Sequence, residues 1–409
     1  MFTLPRRRAA LEWLDYNVIL PTYSINRISK YENTLEKEAN NGAFALAVQR
    51  LFETLHSWGE QGRWISLELE VSSPMDPKYR NVGLSHSQKQ SDLENRRFIR
   101  SILQSSFPSL PPVPRITRFR TPEYPQRQIL PATILSIAAA LPELIHVKWW
   151  LDDDEKKSSV LRLKQRYDFA KALPMLPTTL KTFSLCFEYN EPWNHGFTNT
   201  RLDPDYLTPA LNIQLRSCPN LAEIQLSGPM VLDERIFDGE WPELETLDIQ
   251  LNIVTPTGDW YTEGIESPMD SDSSDFDVES DDSFDSSDSY HSEVPDNYLP
   301  KREAWAVGKL PSRGFRNRLD QRFNKFLIEM GEAIKRMPKL KSLDFRANTS
   351  SDHSFFEAVF RTKLGETKFF ERGWIVEVGK QLKWELTPEV RAVWEEAMEV
   401  GGEISVTYY

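Results

Sequence analysis

Five stretches decide how this chain reads: Pro142-Glu-Leu144-Ile-His-Val147-Lys-Trp149, Pro177-Thr-Thr-Leu180-Lys-Thr-Phe183-Ser-Leu185, Pro219-Asn-Leu221-Ala-Glu-Ile224-Gln-Leu226, Pro242-Glu-Leu244-Glu-Thr-Leu247-Asp-Ile249 and Pro338-Lys-Leu340-Lys-Ser-Leu343-Asp-Phe345. In each, a Pro leads to a Leu and then to two apolar residues with one residue between them. That alternation predicts a short β-strand whose apolar side chains share one face. Apolar residues recur at spacings of three and four in Ile134 to Leu141, Tyr167 to Leu173, Leu207 to Leu215 and Phe323 to Ile334, each just upstream of a copy. The expected unit is therefore a helix followed by a strand, and such units in succession build a parallel sheet.

The Leu-x-x-φ-x-φ core is that of a leucine-rich repeat, and Asn252 and Asn348 occupy its ladder position. The copies are irregular. Of the intervals 142 to 177, 177 to 219, 219 to 242 and 242 to 338, only the third lies within the roughly 20 to 29 residues of a common repeat. A further copy without the Pro is expected upstream, with a helix over Phe44 to Trp58 and a strand over Ile65 to Val71, and Tyr16 to Leu20 is read as the first strand. The predicted fold class is α/β: an irregular leucine-rich-repeat-like solenoid, parallel strands alternating with helices, covering residues 1–262 and continuing over 298–409. Between them, 263–297 is read as a disordered acidic Ser/Asp-rich insertion.

The charge distribution supports that division. The net charge is −12, but thirteen acids and no Lys or Arg fall between Glu263 and Asp296; without them 48 acids face 49 bases. Such a tract cannot bury enough apolar surface to offset the entropy of ordering it. Its opening, from Asp270 to Asp281, imitates a calcium loop but has Asp275 where the turn needs Gly and Asp281 where Glu is needed, so no metal is expected there. Ser274, followed by Asp275 and Asp277, is a candidate for phosphorylation by an acid-directed kinase. The basic segment from Lys301 to Lys325 is a candidate surface for the acidic tract to mask.

Chemistry is weakly signalled. No G-x-G, P-loop, H-E-x-x-H, G-x-S-x-G or C-x-x-C pattern occurs, and the six His are scattered, so neither an enzyme nor a cofactor is expected. His195, in Trp193-Asn-His195-Gly, reads as a surface loop residue. Cys186 and Cys218 read as buried or half-buried thiols, and two Cys without metal or redox spacing argue against a disulfide-stapled secreted domain. The most apolar window, Ala132 to Leu151, is interrupted by Pro142, Glu143, His146 and Lys148, so no membrane partner is expected and an intracellular location, cytoplasmic or nuclear, is. Arg115, Arg118, Arg120 and Arg127 with Phe119 could serve a single strand, but a near-neutral body makes nucleic acid an unfavoured partner.

A repeat array without catalytic motifs points to a surface that binds another protein. Strand parity locates it. With the Leu and φ positions inward, the opposite face carries His146, Lys148 and Trp150; Thr182, Ser184 and Cys186; Glu223, Gln225 and Ser227; Thr246, Asp248 and Gln250; Ser342, Asp344 and Arg346, with Ser66, Glu68 and Glu70 upstream. Trp150 is the expected anchor, because outward aromatic residues dominate binding energies.

Several segments resemble the C-terminal region of filamentous-fungal F-box proteins: Leu14-Asp-Tyr-Asn-Val-Ile-Leu-Pro21, Val113-Pro-Arg-Ile-Thr-Arg-Phe119, Leu141-Pro-Glu-Leu144, Phe169 to Leu185, Leu247-Asp-Ile-Gln-Leu-Asn-Ile-Val-Thr-Pro-Thr-Gly-Asp-Trp260-Tyr261, Leu382-Lys-Trp384, Pro388 to Met398 and Gly401 to Val406. The resemblance spans nearly the whole chain outside the acidic tract, and Leu247 to Tyr261 is its most specific piece. It implies the substrate-recognition part of a cullin-type ubiquitin ligase, joined to a Skp adaptor through an N-terminal F-box. That box is not expected within this chain: Leu4-Pro5 is followed by Arg6, Arg7 and Arg8, and the first strand begins too early to leave room for three helices. Skp and cullin are therefore expected partners only where an upstream F-box exists.

Overall fold

The computed structural model describes residues 8–24, 27, 32–59, 62–76, 102–105, 107, 109–123, 125, 127–153, 159–189, 195–196, 198–264, 315–348, 355–362, 373–398 and 402–409. Ser274, the acidic tract from 265 onward and the basic residues up to 314 lie outside them. The chain divides into two compact units, Met1–Asp153 with Val160–Glu188 and Pro209–Ser227, and Asp154–Ser159 with Tyr189–Thr208 and Gly228–Tyr409.

The first unit holds, wholly or mainly, β1 (Trp13–Ile19), α1 (Thr34–His56), β2 (Ile65–Ser72), β3 (Ile102–Leu103), β4 (Ile116–Arg120), β5 (Gln128–Ile129), α2 (Pro131–Ala138), β6 (His146–Asp152), α3 (Ser159–Ala172), β7 (Thr182–Glu188), α4 (Leu207–Arg216) and β8 (Glu223–Met230). Strands β1, β2, β4, β6, β7 and β8 lie side by side in that order, each parallel to the next. Parallel neighbours need a crossover between them; α1 supplies it between β1 and β2, α2 between β4 and β6, α3 between β6 and β7 and α4 between β7 and β8. Local chemistry starts those helices. Asn33 and Glu36 form a reciprocal capping box at the head of α1, and Pro131 opens α2 where no donor is needed. The inward face is apolar throughout: Leu144, Val147, Trp149, Leu180, Phe183, Leu185, Leu221, Ile224 and Leu226 are all buried. Phe119, Trp149 and Phe183 meet edge to face across three strands, at 5.9 and 6.1 Å.

The second unit holds β9 (Thr246–Asn252), β10 (Thr262–Glu263), β11 (Arg318–Leu319), α5 (Gln321–Ile334), β12 (Ser342–Asn348), β13 (Phe355–Arg361), β14 (Gly373–Val378), α6 (Pro388–Met398) and β15 (Glu403–Tyr408). Its strand order is β9, β12, β13, β14, β15. The expected parallel alternation holds from β9 to β12 and then breaks: β13 is antiparallel to both β12 and β14, and β15 returns to parallel after α6. Between Asn348 and Phe355 the chain is too short for a crossover helix, so a reversal is the available connection. Phe323, Phe345, Phe356 and Trp384 form the aromatic centre, while Trp374 and Trp394 stack at 4.0 Å.

The chain is thus an α/β protein of mostly parallel strands and helices. Asn252 is fully buried; its amide donates to the carbonyls of Tyr189 and Pro229 and its Oδ1 accepts the Val254 N–H. It closes the end of β9, where the backbone leaves the strand and needs partners.

Candidate functional site

In the first unit the predicted face forms rows, because parallel pairing aligns residues of equal parity. One row runs Trp13, Ser66, Arg118, His146, Thr182, Glu223, and the next runs Asp15, Glu68, Arg120, Lys148, Ser184, Gln225. Neighbouring side chains are joined laterally: the Thr182 hydroxyl donates to Glu223 (3.3 Å) and that of Ser184 to Gln225 (2.8 Å). Lys148 pairs with Glu123 at 2.7 Å, and the Arg120 guanidinium lies 5.2 Å from the centre of the Trp13 ring. Arg118 is exposed and makes no ion pair among the described residues. Partial burial, reinforced by the Arg118 charge, holds the His146 imidazole below its usual pKa; Lys181 adds to this and Glu223 opposes it.

Three positions depart from simple parity. Cys186 and Ser66, expected on the open face, are both buried. Cys186 sits between Trp150 and Ser227 in register, so a small thiol lies beside a large ring. Trp150 itself is half-buried: its backbone N–H donates to the Thr121 hydroxyl at 2.6 Å, and the residue lines a small recess with Pro122 and Pro125. The exposed aromatic of this face is Trp13, at 44%.

In the second unit the predicted residues pair as Thr246 with Ser342, Asp248 with Asp344 and Gln250 with Arg346. The strand that sequence reasoning missed engages two of them. Arg361 of β13 pairs with Asp344 at 2.7 Å, and Glu357 of β13 with Arg346 at 3.3 Å. Gln250 accepts the Gly228 N–H through its side chain.

A cleft of about 340 Å³ opens in the second unit beyond the carboxyl ends of its strands, lined by Asp205, Asp233, Glu234, Arg235, Arg322 and Lys325 among others. Such a position often binds anions at helix N-termini. Here the helix N-termini are already served. Asp205 accepts the Leu207 and Thr208 N–H groups, Asp233 that of Arg235, and Asp320 those of Arg322 and Phe323. The cations are matched too: Arg235 by Asp233, Arg322 by Asp320 and Asp259, and Lys325 by Glu234. The cleft is a network of satisfied charges. Among the described residues, no group of three or more His, Cys, Asp or Glu could hold a metal ion.

The ends flanking positions 265–314 are drawn together by β10 and β11, which pair antiparallel as Thr262 with Leu319 and Glu263 with Arg318. His195 is buried against this neck, not exposed as expected. Its Nδ1 accepts the Arg316 N–H at 2.7 Å, and its ring packs against Trp260 and Phe315. Of the basic segment, Arg316, Arg318, Arg322 and Lys325 are each engaged by nearby carbonyls or carboxylates. Arg115 and Arg127 are buried, so half of the arginines considered for nucleic acid cannot reach a phosphate.

Trp13, Arg118 and Arg120 also lie on the open face and were not expected there, because β1 and β4 lack the Pro-x-Leu lead. The alternation Arg118-Phe119-Arg120 was the available signal. No helix among the described residues is long and apolar enough to cross a membrane. Comparisons of the chain with protein-family models, with curated proteins and with solved structures find no match.

Proposed function

We propose that this chain is a non-catalytic protein-binding module whose strand-and-helix units form a leucine-rich-repeat-like array, and that the open face of the first unit receives the partner. One observation carries the reading. Two registered rows cross six adjacent parallel strands and combine the Trp13 ring, Arg118 and Arg120, and laterally bonded polar side chains. Aromatic residues and Arg are the types enriched at protein interfaces, and a row of strands presents them on one broad surface. The resemblance to the target-recognition region of F-box proteins fits this role. Where an F-box is joined to the chain, Skp and cullin would follow as partners and the bound protein would be a degradation target.

The test is a face variant, Arg118→Glu with Ser184→Arg and Gln225→Arg. All three side chains lie on the open face, so the thermal midpoint should stay near that of the unmodified chain. Proteins captured from an extract of the source cells by the unmodified chain should be lost. Undiminished capture by the folded variant would reject this face as the binding surface.

A further inference from the structure

We propose that two copies of this chain associate through β15, paired antiparallel about a two-fold axis at Val406. β15 ends the strand order of the second unit. The Tyr409 N–H donates to the Val378 carbonyl at 3.0 Å, which fixes the phase of the strand. Ser405, Thr407 and Tyr409 turn their backbone groups toward β14, while the N–H and C=O of Ile404, Val406 and Tyr408 point to the other side. Among the described residues no strand pairs there.

The side chains have the same incompleteness. Trp374, Val376 and Val378 are buried on β14, and their register partners Ile404, Val406 and Tyr408 continue that row. On β15 the row reaches solvent: Ile404 and Val406 are half-buried and Tyr408 is 56% exposed. Glu403-Ile-Ser-Val-Thr-Tyr408 also lacks the usual guards of an edge, with no Pro, no Lys or Arg and no inward charge.

The sequence is complementary to itself. A two-fold at Val406 sets Ile404 against Tyr408 of the partner subunit, Val406 against itself and Ser405 against Thr407 of the partner subunit. An aromatic residue thus meets a β-branched one, a favourable cross-strand pair. Glu403, the one charged residue of the strand, falls opposite Tyr409 of the partner subunit, so the two carboxylates never face each other. Residue i meets j and j meets i, as a closed dimer requires.

The test is the mass of the full chain in solution, by sedimentation equilibrium over a wide concentration range. The unmodified chain should rise from one chain mass toward two. Val406→Pro removes only a donor that points away from β14, a change an edge strand tolerates, so the variant should keep its thermal midpoint and stay at one chain mass. Val406→Cys should form a disulfide-linked dimer on mild oxidation, against the silent background of two buried native thiols. A single chain mass at every concentration would overturn the proposal, as would capture of another protein by this edge from a monomer. A dimer that resists Val406→Pro and leaves Val406→Cys uncrosslinked would also overturn it.

Discussion

The imidazole of His195 accepts the backbone N–H of Arg316 at 2.7 Å and so ties the loop at His195 to the neck closed by Thr262 and Leu319. Burial, with help from the Arg316 charge, pushes its pKa down to about 4. In the unfolded chain the group titrates at about 6.5. The folded state therefore binds the proton less tightly, and stability falls as pH drops from about 6.5 toward 4. The expected slope is on the order of 1 kcal/mol per pH unit across that window. His195→Asn keeps an acceptor near the Arg316 N–H without a titrating group, so its denaturation profile should be flatter there. Equal pH slopes for the two proteins would remove His195 as the cause.

Cys186 and Cys218 should be inert in the native protein. Burial, with the Glu188 carboxylate adding to it, pushes the Cys186 thiol up to about 12, and burial pushes Cys218 up to about 11. Thiolate is the reactive form, so an aromatic disulfide reagent at neutral pH should release almost no thiolate until the chain is unfolded. Two equivalents should then appear. Rapid reaction of either thiol in the folded chain would contradict their placement.

Gly331 lies in α5 where the Trp394 ring of α6 crosses it. A Cβ there would meet Trp394 Cδ1 at 2.6 Å and Val393 Cγ1 at 2.9 Å. Ala is the better helix former, yet Gly331→Ala should destabilise by about 1–3 kcal/mol through overpacking. The Trp394 N–H bond to the Leu327 carbonyl, 3.0 Å long, should weaken with it. Urea denaturation followed by tryptophan fluorescence measures the change; a stabilised variant would show that the two helices are farther apart than described.

Arg127 is wholly buried between two carboxylates, bonded to Asp76 at 2.8 and 3.0 Å and also to Glu32. Arg127→Met leaves both acids buried without their cation and should cost about 3–5 kcal/mol. Adding Glu32→Gln and Asp76→Asn should recover much of that loss, because the uncompensated charge is then gone. Failure of the neutral triple variant to recover would assign the loss to packing instead.

Much of the fold was legible in the sequence because burial repeats locally. Leu144, Leu180, Leu221, Leu244 and Leu340 each lie two residues ahead of a strand and are buried, and helices lie close to where apolar spacing placed them before all of these but Leu244. What alternation does not encode is the direction of the neighbouring strand, so β13 and β14 were missed and with them the pairing of Asp344 and Arg346. His195 was misread for a related reason: the residues that bury it, Trp260 and Phe315, are far away in sequence. On the open face, parity placed Thr182, Ser184, Glu223 and Gln225 together, as the rows show. Parity alone puts Cys186 on the open face because it carries no information about a large neighbour such as Trp150; the burial of both Cys agrees with their reading as buried or half-buried thiols.

The proposed function requires a partner to dock on the strand face of the first unit. Photo-crosslinking tests it directly, with a benzophenone amino acid placed at Ser184 or Gln225 on that face and, for comparison, at exposed Lys164 on α3. A discrete adduct with the same protein is expected from both face positions, lost when excess unlabelled chain is added, and none from position 164. An adduct from position 164 with none from the face would contradict it.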